Sequence, residues 1–163
     1  MKKIGEYTSR GVVPGEPNTR LGLPIKVNLF DGVFTTGYKV TNFQIWGTDY
    51  NSDAAADCIG KLSKSRNSTN DGDEFFQAND NNEIAWASSE GAQGSANDAG
   101  LSHSIVDPEN MVVEDLWVYA RQNGSKDVNY LITMDKYDIT EAHGAVTMGQ
   151  DRSANSGSNW DTT

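Results

Sequence analysis

The feature that most constrains this chain is a succession of short runs in which apolar and polar residues alternate, punctuated by turn-forming dipeptides. Val128, Tyr130, Ile132 and Met134 fall on one phase, with Asn129, Thr133 and Asp135 on the other. A period of two places each set on one face of an extended chain, so this run predicts a half-buried β-strand. Residues 111–120 end in Leu116, Trp117, Val118 and Tyr119, which are apolar on both phases and predict a central strand covered on both faces. Residues 25–30, 33–34, 38–46 and 83–87 add further strands. In 38–46 the apolar phase changes between Val40 and Phe43, as a β-bulge would require. The same change after Met134, toward Tyr137 and Ile139, predicts a second bulge near Asp135-Lys136. Asp31-Gly32 and Asn123-Gly124 separate apolar runs and tolerate positive φ, so each predicts a hairpin. The second hairpin would pair residues 116–120 with 128–132. Asp107-Pro108 suits the start of a type I turn.

Two regions read less simply. Ala54, Cys58 and Leu62 sit at helical spacing behind Ser52, a residue suited to an N-cap, but 58–62 also reads as a short edge strand, the reading preferred here. Residues 67–82 and 88–102 are Asn/Asp/Gly/Ser-rich and predict long loops. Seven or eight short strands joined by such turns define an all-β, antiparallel sandwich or barrel, and the long loops favour a jelly-roll-like sandwich.

Proline and glycine crowd the start of the chain, with Pro14, Pro17 and Pro24 among Gly5, Gly11, Gly15 and Gly22. Residues 1–24 are therefore expected as an extended N-terminal arm with a short strand at 4–8, residues 25–148 as the sandwich domain, and residues 149–163 as a polar C-terminal tail. The sparse apolar residues of these arms, Ile4, Tyr7, Val12, Val13 and Trp160, are too few for a core of their own. They are the expected subunit contacts, Trp160 being a suitable anchor for docking on a neighbour.

The balance of charge narrows the function classes. The 163 residues carry a formal net charge of −10, which disfavours binding to phosphate backbones. The basic residues Lys61, Lys64 and Arg66, with Lys2, Lys3 and Arg10, read as a solvated patch before they read as a contact to an acidic partner. Cys58 is the single cysteine, which excludes an intrachain disulfide. The start of the chain has two lysines but no apolar run behind them, so it does not read as a secretory signal, and no stretch is long and apolar enough to be a membrane helix. Synthesis in a cytoplasm is the expectation.

No catalytic motif stands out. His103 and His143 lie in small, polar surroundings and read as loop residues. Cys58, in AADCIGK, reads as a small buried or interfacial thiol rather than a nucleophile. Acidic pairs at Asp71, Asp73 and Glu74, at Asp80 and Glu83, and at Glu114-Asp115 are expected from turn chemistry alone, and the chain is read as a non-enzyme. Asp71, Asp73, Asp80 and Asn82 supply oxygen ligands of the kind calcium takes but match no EF-hand loop, so neither a metal nor a cofactor is expected. Trp46, Trp86 and Tyr50 could stack on sugar rings if exposed, although Trp86 and Trp117, within apolar strands, are expected in the core.

The segments MKKIGEYTSRG, IKVNLFDGVFTTGYKVTNFQIW, NEIAWAS, IVDPENMVVEDLWVYAR and VNYLITMDKYDIT together resemble a group of small structural proteins of marine bacteriophages. The resemblance spans most of residues 1–150 and departs from the group in the tail after Met148 and the loop at 88–102. It implies a virion component with a jelly-roll-like fold and does not distinguish shell, decoration, spike or tail. The expected role is a capsid or capsid-associated subunit (shell, decoration or spike) whose partners are copies of itself and other virion proteins. A glycan-binding sandwich or receptor-binding virion protein is the competing expectation.

Overall fold

The computed structural model describes residues 1–15, 24–29, 35–48, 57–66, 76–90, 102–122 and 126–139. These residues form an all-β structure of eight strands, β1 (Lys2–Val13), β2 (Ile25–Asn28), β3 (Thr36–Gly47), β4 (Cys58–Ser63), β5 (Glu83–Ser89), β6 (Ser102–Val106), β7 (Asp115–Gln122) and β8 (Val128–Asp138). They make two antiparallel sheets, one ordered β1-β8-β3 and the other β2-β7-β4-β5-β6.

The period-two pattern decides how the sheets face each other. Val128, Tyr130, Ile132 and Met134 of β8 and Val40, Phe43 and Ile45 of β3 turn inward. Val27, Leu116, Val118, Leu62, Ala85 and Ala87 belong to the same core from the second sheet. Each fully buried Leu, Ile or Phe contributes about 1.5–3 kcal/mol by leaving water. Gly60 permits the close approach this packing needs, since a Cβ there would lie 2.9 Å from the Tyr119 carbonyl oxygen and 3.2 Å from Ile45 Cδ1.

The strand pairing is nested along the chain: β1 pairs with β8, β2 with β7, and β4 with β5. β6 hydrogen-bonds to β5 but also packs against β3. The free edge of β3 is closed by the segment between β6 and β7. Tyr38 and Val112 exchange two backbone hydrogen bonds of 2.8 Å. Asn110 continues the ladder with its side chain, accepting from the Val40 N–H at 2.9 Å and donating to the Val40 carbonyl at 3.3 Å. A carboxamide can stand in for a peptide group because it carries the same donor and acceptor.

Several expectations need correction. Both Asx-Gly dipeptides lie outside the described residues, as does the strand expected at 33–34, but the hairpin expected between 116–120 and 128–132 does not form. β7 pairs with β2 and β4 in one sheet and β8 with β1 and β3 in the other, so these two strands are not neighbours. The bulge expected in β3 is present, between Val40 and Asn42. The one expected in β8 is not: the register shift there lies on β1, between Lys3 and Gly5, opposite Tyr137 and Lys136. Residues 58–62 are a strand, yet β4 is internal, bonded to both β5 and β7. Residues 102–106, read partly as loop, form β6. Trp86 and Trp117 are half-buried on the outer face of the five-stranded sheet and are not core residues. β1 runs far beyond the short strand expected at 4–8, and it is bonded to β8 along its length.

Candidate functional site

Among the described residues β1 has a partner strand on one side only, and its composition explains how it adheres there. Its inward positions are small where β8 is large: Gly11 lies opposite Tyr130, and a Cβ on Gly11 would stand 2.7 Å from the tyrosine Oη. Ser9, opposite Ile132, reaches the Tyr130 hydroxyl with a hydrogen bond. Burial raises the Tyr130 pKa, and that hydrogen bond offsets part of the rise. Tyr7 meets Tyr38 edge to face, with centroids 5.9 Å apart. Lys3 bonds Asp135 of β8 at 2.7 Å and Glu6 at 3.1 Å, and these two hydrogen bonds hold its pKa above the ordinary lysine value.

The expected contact residues separate on this strand. Ile4, Tyr7 and Val12 are 51%, 43% and 44% exposed along the edge of β1 that no described strand covers. Val13 is wholly buried in the chain's own core. Trp160 lies outside the described residues, as do Tyr50, Asp71, Asp73, Glu74 and His143.

A second feature occupies the outer face of the five-stranded sheet. The bulge between Leu62 and Ser63 brings Glu83 to the same face as Lys61 and Trp86. Lys61 Nζ and Glu83 Oε1 are 2.6 Å apart and both side chains are almost completely buried. Glu83 Oε2 also accepts from the Trp86 indole N–H at 2.8 Å and the Gln77 N–H at 2.8 Å, while Lys61 lies over the Tyr119 ring. Buried charges are tolerable only when paired and hydrogen-bonded in this way. The network clamps the Trp86 indole beside an open pocket of about 130 Å³, lined by Phe76, Trp86, Ala87, Ser88, His103 and Ile105. Ile105 is 67% exposed at its rim.

The other chemically suggestive residues are placed structurally. Lys61 is buried in its ion pair and Arg66 lies over Trp117, so the basic residues expected as one patch have separate settings. Asp80 ties a turn, accepting from the Asn82 N–H at 2.9 Å. Cys58 is buried in the core and not at a surface contact. Desolvation, with the charge of Asp57 adding to it, pushes its thiol up to about 11, so the nucleophilic thiolate is scarce near neutrality. Among the described residues no three His, Cys, Asp or Glu side chains converge as a metal site would require. No family model matches this sequence, and no curated protein matches it significantly.

Proposed function

We propose that this chain is a structural subunit of a viral particle, a jelly-roll sandwich that works through contacts with copies of itself and with other virion proteins. The observation that carries the reading is the edge of β1: among the described residues its twelve residues pair with a strand on one side only, with Ile4, Tyr7 and Val12 exposed along it. A long open strand edge is a template for pairing with another chain, and sandwich proteins that remain monomeric usually shorten or cover it. The nested pairing of β1 with β8, β2 with β7 and β4 with β5, with β6 lying against β3, supports the jelly-roll form, an architecture common among capsid and lectin domains. The bacteriophage resemblance points the same way. Mass photometry of the purified full chain, backed by sedimentation at micromolar concentrations, tests the reading. Discrete multi-subunit species are expected, and a strict monomer throughout would overturn it.

The pocket beside Trp86 favours a second reading, a glycan-binding virion module. An indole held by Glu83 offers a fixed surface for a sugar ring, with Ser88 and His103 alongside as hydrogen-bonding groups. Titrating glycans against tryptophan fluorescence, with Trp86→Ala as control, tests it. Saturable quenching lost in the variant would support it, and an unresponsive spectrum across a broad glycan panel would remove it.

A further inference from the structure

We infer that β1 pairs antiparallel with β1 of a second copy about a two-fold axis through Thr8. The inference rests on the self-assembly reading above and specifies its partner and register.

The backbone decides which residues can take part. Tyr38 spends its N–H and carbonyl on Val112, on the side of β3 away from β8. Opposite it, Lys136 therefore turns its own peptide groups the other way, toward β1. In the register Gly5↔Lys136, Tyr7↔Met134, Ser9↔Ile132, Gly11↔Tyr130, the odd-numbered residues of β1 thus bond to β8. Alternation leaves the N–H and carbonyl groups of Glu6, Thr8, Arg10 and Val12 on the free edge. Their side chains share the outward face of the sheet, where Val12 is 44% exposed.

The side chains then select the register. Centred on Thr8, each Glu6 opposes the Arg10 of the second copy, twice by symmetry. Gly5 opposes Gly11, and Tyr7 opposes Ser9. Centred on Glu6 or on Arg10, the pairing would set two like charges directly opposite each other, which is unfavourable. Centred on Tyr7 or Ser9, it would leave Glu6 facing Thr8 or Val12 and unite no opposite charges. Arg10 has no ion pair within the described residues and is free to serve this one. A contact that is the same patch on both subunits closes as a dimer, joining two three-stranded sheets into one of six strands.

The experiment uses the full chain with three changes, following dimer dissociation by sedimentation and folding by thermal melting. Arg10→Glu should weaken the dimer about tenfold or more, because two attractions become two repulsions. Adding Glu6→Arg to it exchanges the charges and should restore affinity to near the parent value. Thr8→Pro removes an N–H that faces the free edge, so it should abolish the dimer while the melting temperature stays near the parent's. Self-association that ignores all three changes would overturn this register and leave the self-assembly reading standing, whereas a parent chain that never self-associates would overturn both. A Thr8→Pro variant that unfolds would show that the Thr8 N–H bonds β8, and would also overturn the assignment of the edge.

Discussion

Individual side chains show which contacts are costly to lose. The Lys61–Glu83 pair is the most exacting, because each charge is out of water and each depends on the other. Removing one partner, as in Lys61→Met, should cost about 3–5 kcal/mol in urea unfolding, while changing both to apolar residues of similar volume should cost much less. Gly60→Ala should cost about 1–3 kcal/mol, because the added methyl meets a backbone oxygen that cannot swing aside. Cys58 gives a pH signature. Its thiol ionises near 9 in the unfolded chain and near 11 when folded, so above about pH 9 the unfolded state sheds its proton first. Stability should be insensitive to this group below pH 9 and fall between pH 9 and 11, by an amount on the order of 2 kcal/mol that Cys58→Ala removes from the pH profile. At this scale the sequence was only partly legible. Glu83 and Lys61 stand twenty-two positions apart, and nothing local marks them as partners. They meet because β4 and β5 pair with a bulge at Ile84, opposite Leu62 and Ser63, a fact of register and not of composition.

At the scale of elements, patterning was readable where one face is buried and unreadable where neither is. β8, β3 and β7 announce themselves by alternation or by a dense apolar run. β6 has no such mark: Ser102–Val106 is exposed at all but its last residue, so no alternation is imposed on it. It becomes a strand by completing the ladder of β5. The Asn123-Gly124 signal misled as to the pairing of β7 with β8 for a related reason. Asp-Gly and Asn-Gly require only that the chain reverse locally, and a reversal can lead to the neighbouring strand or across to the other sheet. The edge closure by Asn110 was equally invisible, since a lone asparagine before Met111 reads as turn chemistry. It bridges Val40 across seventy positions and also donates to the Asp107 carbonyl. Asn110→Ala should leave the buried Val40 peptide groups unpaired and lower stability by about 1–3 kcal/mol, measured by chemical unfolding, with β3 showing faster amide exchange at Val40.

For the whole molecule, β1 serves the fold and also carries the proposed self-contact. Deleting residues 1–14 would strip β8 of one hydrogen-bonding neighbour, remove Val13 from the core and uncover the Tyr130 ring that Gly11 and Ser9 now flank. Such a variant should melt well below the parent, so loss of assembly in it would not by itself isolate the contact. The point changes at Glu6, Thr8 and Arg10 do that. Sequence alone determined the all-β class, the existence of most strands, the inward phase of β8 and the bulge in β3. It also marked Ile4, Tyr7 and Val12 as apolar residues that are hard to place in a core. These are local matters: period two, branched and aromatic side chains, and a change of phase are written in consecutive residues. Tertiary structure alone decided which strands pair, that β7 and β8 lie in different sheets, that Val13 is core while Val12 is surface, and that Trp86 faces outward. Those outcomes depend on contacts between residues far apart in the chain, where burying the best-matched faces together outweighs what any short segment prefers by itself.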